Sequence, residues 1–82
     1  MHNPGLRALK DVARLDRPMR ERIVANVERF AETGMGDVRR LRGKEQEIYR
    51  LRVEEWRVLF TRRKTRIILV LRVRPRASAY QP

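Results

Sequence analysis

Cysteine is absent from this 82-residue chain, so neither a disulfide nor a thiolate metal site is open to it. The single histidine, His2, stands near one terminus, which argues against a histidine-built metal centre. Asp11, Asp16 and Asp37 are scattered rather than clustered, which argues against a two-metal nuclease site. No metal and no other cofactor is expected. No apolar run approaches the ~18 residues of a membrane helix. The first residues lack the apolar stretch of a signal peptide. The cytoplasm is therefore the expected location, and a membrane is not an expected partner. The length suits one small domain over residues 1–82, with a modest core whose folding gains from a bound partner.

What the chain has in excess is positive charge, and that charge is unevenly placed. Residues 1–37 contain seven Arg/Lys and six Asp/Glu, whereas residues 38–82 contain fourteen and four. Nearly all of the formal net charge of +11 thus lies in the second half. Of the basic residues only Lys10, Lys44 and Lys64 are lysine. Such a distribution reads as an electrostatic footprint for a polyanion. The arginine bias favours planar, bidentate contact with phosphate. An anionic lipid surface fits less well, because the charge lies in strand-like sequence rather than on one face of an amphipathic helix.

Leu6, Leu9, Val12 and Ala13 recur at helical spacing and predict a first helix over about Gly5 to Leu15. Asp16-Arg17-Pro18 combines a capping residue with a proline suited to a first helical turn. Met19, Ile23, Val27 and Phe30 then predict a second helix over about Arg17 to Glu32, stopped by Gly34 and Gly36. Together they form an antiparallel hairpin whose apolar stripe needs cover. After the basic stretch Arg39-Arg40-Leu41-Arg42-Gly43-Lys44 the period changes to two. Tyr49, Leu51 and Val53 alternate with Arg50 and Arg52, and Trp56, Val58 and Phe60 alternate with Arg57, Leu59 and Thr61. Arg66 to Val73 is nearly continuous and β-branched, as in a central strand. The expected fold is α+β, a helical hairpin packed on a small twisted antiparallel sheet, here a three-stranded meander.

A two-residue turn at Glu54-Glu55 sets Val53 opposite Trp56, Arg52 opposite Arg57, Leu51 opposite Val58 and Tyr49 opposite Phe60. The apolar set then faces the helices, and Arg50, Arg52 and Arg57 share the other face. A four-residue loop over residues 62–65 would pair Phe60 with Ile67 and Arg57 with Val70, and so add Ile68, Val70, Arg72 and Arg74 to the arginine face. Like charges directly opposite destabilise a sheet by a few tenths to about 1 kcal/mol. A merely solvated face has no need of Arg52 opposite Arg57, so the cluster points to a phosphate backbone.

Arginine stays protonated and cannot act as a general base, but it can stabilise a phosphorane transition state. A proton acceptor must come from Glu54, Glu55, Tyr49, Tyr80 or His2. Of these, Tyr49 faces the core by register, and the acids occupy a turn. Tyr80 follows the arginine-rich segment ending at Arg76 and can fold back towards it. RNA carries a 2′-OH beside the scissile phosphate, so its cleavage needs no metal. That makes RNA the better substrate for a chain without metal ligands. Trp56 and Phe60 share parity with Leu51 and Val58, which assigns them to packing rather than to base stacking.

The order of helical hairpin, Arg39-Arg40-Leu41-Arg42-Gly43, Ile48-Tyr49-Arg50-Leu51-Arg52-Val53, Trp56-Arg57-Val58-Leu59-Phe60, Arg72-Val73-Arg74-Pro75-Arg76 and Tyr80 resembles the RelE/ParE superfamily of type II toxin–antitoxin toxins. The likeness runs from about Leu6 to Tyr80. It implies a toxin held inactive in a hetero-oligomer with a cognate antitoxin. It also implies a RelE-like endoribonuclease that cleaves mRNA in the ribosomal A site by metal-independent 2′-OH attack. Carried over by position, Arg57 would stabilise the transition state, Arg74 or Arg76 would hold the phosphate, and Tyr80 would accept the proton. Arg50 and Arg52 would bind RNA, with Arg42, Lys44 and Arg72 as further phosphate contacts. The resemblance also implies a strand before the first helix, for which only Met1 to Pro4 remain. The alternatives are a ParE-like DNA gyrase inhibitor and a non-catalytic, degenerate toxin that only binds antitoxin.

Overall fold

A computed structural model describes residues 2–41, 47–63 and 67–76. Along the chain these form β1 (His2–Pro4), α1 (Leu6–Ala13), α2 (Arg17–Thr33), β2 (Asp37–Leu41), β3 (Ile48–Val53), β4 (Trp56–Arg63) and β5 (Ile67–Pro75). The strands make one sheet in the order β1-β5-β4-β3-β2. β2 to β5 run antiparallel to their neighbours, and β1 lies parallel to β5. The α+β class and the helical hairpin are as expected, but the sheet is larger than a three-stranded meander.

Helix α2 begins and ends for identifiable reasons. The Asp16 carboxylate accepts the Met19 N–H at 3.3 Å, and a proline occupies the first turn. At the other end Gly34 takes the left-handed conformation, with φ 75°, and its N–H donates to the Phe30 carbonyl at 2.8 Å. Asp16→Ala is expected to cost about 1 kcal/mol, read as a lowered urea midpoint, because the first-turn N–H loses its acceptor. Ala8, Leu15, Ile23, Val27 and Phe30 of the helical half bury against Leu51, Val53, Val58, Phe60, Ile68, Val70 and Val73 of the sheet. Phe60 lies at the centre, 5.3 Å from the Phe30 ring and 5.5 Å from the Tyr49 ring. Gly36 has a packing role: a Cβ there would stand 2.9 Å from Leu51 Cδ1.

The first meander turn falls at Glu54-Glu55, and every β3–β4 pair follows the register read from sequence, Arg52 opposite Arg57 included. Glu54 takes φ 54°, a left-handed conformation disfavoured outside glycine. Two contacts hold it: its carboxylate pairs with Arg22 at 3.0 Å, and its carbonyl accepts from Arg57.

The strand before α1 is very short, three residues, and covers part of the β5 edge by pairing with Ile68–Val70. Two expectations are corrected. The basic stretch opens as strand β2, which extends the sheet beyond β3. The β4–β5 register differs by three residues at Phe60, which faces Val70 rather than Ile67, and by four at Arg57, which faces Arg74 rather than Val70. β4 pairs with β5 out to Arg63 and Ile67, so the strands continue into the expected loop. A bulge between Leu59 and Phe60 inserts one extra residue, Leu71, into β5. It lets both Val70 and Val73 reach the core, and with Ile68 they are buried there instead of lying on the arginine face.

Candidate phosphate-binding cleft

On the sheet face away from the helices, Asp37, Arg39, Arg50, Arg52, Arg57 and Arg76 line an open cleft of about 330 Å³. Strand parity explains the gathering. Arg50 and Arg52 alternate with the buried Leu51 and Val53, and Arg57 precedes the buried Val58. Asp37 and Arg39 arrive from β2, opposite Arg52 and Arg50. Arg76 is placed by its own N–H, which donates to the Glu55 carbonyl at 2.9 Å.

The five guanidiniums differ in how firmly they are held. Arg50 and Arg57 are buried, 7% and 4% exposed, which is rare for arginine without full pairing. Arg57 Nη1 donates to the Glu54 and Trp56 carbonyls at 3.0 and 3.1 Å. Arg50 Nη2 donates to Asp37 Oδ1 at 3.3 Å. The Nε atoms of both are buried without a hydrogen-bond partner among the described residues. Arg39, Arg52 and Arg76 have no ion pair there. Two anchored cations and three freer ones thus face one carboxylate. Such a set suits an oxyanion with several acceptor oxygens.

Among the sequence-predicted residues, the cleft unites Arg50, Arg52, Arg57 and Arg76. Arg74 stands opposite Arg57 in register and borders a neighbouring hollow with Arg14 and Trp56. Arg72 does not join the cleft. It turns to the β5 edge, where its Nε and Nη2 donate to Asp11 at 2.8 and 3.1 Å. The same carboxylate accepts the Val73 N–H at 2.9 Å, so α1 seals an edge that β1 is too short to cover. Burial pushes the Asp11 carboxyl up, but the Arg72 and Val73 hydrogen bonds and the charges of Arg72 and Arg74 outweigh it and hold it below its ordinary value. Arg42, Lys44 and Tyr80 lie outside the described residues.

Asp37 and Arg39 were not singled out from sequence. The alternation of Val38 with Asp37 and Arg39 was the available signal, but it spans too few residues to stand out from a charge run. Tyr49 is on the helix side, as its parity indicates. Its hydroxyl donates to Glu47 at 2.9 Å, and this bond raises its pKa above the ordinary tyrosine value. Arg62 lies 5.1 Å over the Tyr49 ring and 5.2 Å over the Phe30 ring, and so ties α2 to the sheet. Among the described residues no group of three His, Cys, Asp or Glu could hold a metal, and no helix is long and apolar enough to cross a membrane.

In sequence, a family model described as the ParE toxin of the type II toxin–antitoxin system parDE matches residues 6–80. No curated protein matches the chain in sequence. In structure, the chain is similar to one in the RelB–RelE antitoxin–toxin complex of Methanococcus jannaschii, with a TM-score of 0.73 and 21% identity over 98% of this chain and 99% of that one. A chain of the RelBE2 toxin–antitoxin complex of Mycobacterium tuberculosis gives 0.66 and 22% over 93% and 96%. A chain of the intact RelBE complex of E. coli gives 0.60 and 19% over 89% and 92%. At these identities the structural likeness speaks for the fold.

Proposed function

This chain belongs to the RelE/ParE family of type II toxin–antitoxin toxins, and from that premise we propose that it is an mRNA endoribonuclease acting on the ribosome and neutralised by a cognate antitoxin. The observation that supports this reading is the cleft itself: five arginines converge on one face, two of them buried with an unpartnered Nε. Guanidiniums already held in place, as those of Arg50 and Arg57 are, cost little reorganisation when charge develops on a phosphorane, which is where electrostatic catalysis has its largest effect.

In this reading Arg57, fixed by two carbonyls, stabilises the transition state from the floor of the cleft. Arg50 and Arg52 grip the phosphate beside it, and Arg76 and Arg74 hold the strand at the far end. Arg42 and Lys44 are further phosphate contacts in this reading, on the basic sequence that they share with Arg39 and Arg40. Tyr80 takes the 2′-OH proton; the 2′-oxygen attacks the adjacent phosphorus, and the P–O5′ bond breaks as the 5′-oxygen takes a proton from water. The products carry a 2′,3′-cyclic phosphate and a 5′-hydroxyl. Arg72, neutralised by Asp11, supports the sheet edge rather than the RNA. For the antitoxin, the fitting surface is the apolar groove between α1 and α2, lined by Ala8, Leu9, Val12, Val24 and Val27, with Leu9 and Val24 exposed.

A ParE-like action on DNA gyrase is the second reading, favoured by the description of the matching family model. Adding the full chain to a translating extract separates the two. We expect new mRNA ends within the reading frame and unchanged gyrase supercoiling. Intact mRNA together with gyrase-linked DNA breaks would establish the second reading instead.

A further inference from the structure

Two aspartate–arginine pairs bracket the sheet, and they are built in opposite senses. At the β5 edge the acid is the fixed partner: the Asp11 side chain is 9% exposed and accepts three hydrogen bonds. In the cleft the base is the fixed partner. There the Arg50 side chain is 9% exposed, the Asp37 side chain is 54% exposed, and one 3.3 Å hydrogen bond joins them. A half-exposed carboxylate held by one long contact regains most of its hydration on leaving. A buried guanidinium that loses its anion regains none, so Arg50 requires a replacement.

The replacement has a defined chemistry. Arg50 and Arg57 are buried, yet both side chains line the same cleft as Arg39, Arg52 and Arg76, which have no ion pair among the described residues. The Asp37 carboxylate meets Arg50 through one Nη2 contact. A tetrahedral phosphate, with more acceptor oxygens, can take that place and meet the freer arginines as well. Asp37 is the one carboxylate among the described residues lining the cleft, and its charge opposes any anion that enters.

We propose that Asp37 is an exchangeable counter-anion, which holds Arg50 in place and then cedes that guanidinium to a phosphate group, so that it sets the affinity threshold of the cleft. This rests on the reading of the cleft as a phosphate site. Asp37 is thereby a positioning residue: it acts through Arg50 and takes no part in bond cleavage.

The test is a titration of the full chain with inorganic phosphate at low ionic strength, followed at the Nε–Hε resonances of Arg50 and Arg57. Asp37→Asn keeps the shape and a hydrogen-bond acceptor but removes the charge. It is expected to lower the half-saturating phosphate concentration about tenfold, somewhat more than the roughly fivefold effect of one unit charge at ~4 Å in a water-like dielectric. Asp16→Asn, which preserves a helix cap, controls for the change in total charge and should leave it unmoved. In the unaltered chain the Asp37 carboxyl carbon resonance should shift with the same half-saturation as Arg50 Nε, a readout that requires no variant to fold. Equal or weaker phosphate binding by Asp37→Asn, or an Asp37 resonance that ignores phosphate, overturns the proposal. No RNA is present, so the two ideas fail separately. A tenfold gain without mRNA cleavage would discard only the nuclease, and cleavage without the gain would discard only the role of Asp37.

Discussion

Asp11→Ala is expected to destabilise the fold by about 3 kcal/mol, the range for breaking a buried ion pair and orphaning a backbone donor. Arg72 loses both of its hydrogen bonds, and the Val73 N–H loses its acceptor at an edge that β1 does not reach. The effect should depend on pH in a set direction. Burial pushes the folded carboxyl up, but the bonds from Arg72 and Val73 and the charges of Arg72 and Arg74 outweigh it, so the group titrates below its ordinary value. A depressed folded pKa stabilises the protein above the unfolded value, and that contribution fades as pH falls through the folded value. Urea midpoints of the parent and of Asp11→Asn should therefore differ clearly at pH 7 and draw together below about pH 4. A constant gap across that window would mean that Asp11 acts by shape alone.

Arg52→Ala is expected to reduce mRNA cleavage by about 10–10²-fold, as when one charge-assisted hydrogen bond to the phosphate is lost. Its stability should hold or rise by a few tenths of a kcal/mol, since Arg52 is exposed, has no ion pair among the described residues and faces Arg57 directly. This separation of activity from stability is diagnostic. Arg57→Ala removes a buried side chain bonded to two carbonyls, so it should lose both together. Arg52→Lys should recover part of the activity, as it keeps the charge but not the bidentate geometry. Initial cleavage rates set beside urea midpoints for the three variants check the pattern. A stable Arg52→Ala that cuts at the parental rate would remove Arg52 from the site.

Much of the fold was readable where local signals agreed. The spacing of Met19, Ile23, Val27 and Phe30, with Asp16 before and Gly34 after, marked α2 almost to the residue. The two-residue separation of Val53 from Trp56 carried the register of the first meander pair, and with it the facing of Arg52 and Arg57. What escaped depended on distant partners. Three residues, His2–Pro4, are too few for a pattern, and they become a strand only beside β5. Asp37–Leu41 is an edge strand with polar residues alternating around Val38, and a charged edge reads as a loop. The bulge at Leu71 shifted the last pairing and freed Arg72 to meet Asp11, sixty-one residues away. Within the site, the same limit hid Asp37, whose role depends on Arg50 across the β2–β3 pair.

The most direct test of the cleft as a nuclease centre uses the substrate. An mRNA carrying a single 2′-deoxynucleotide immediately 5′ of the mapped cut is placed on translating ribosomes with the full chain. Attack by the 2′-oxygen requires that this message stay intact at that position while its all-ribose counterpart is cut to a 2′,3′-cyclic phosphate. Cleavage of the deoxy-substituted message at the same position would contradict the mechanism.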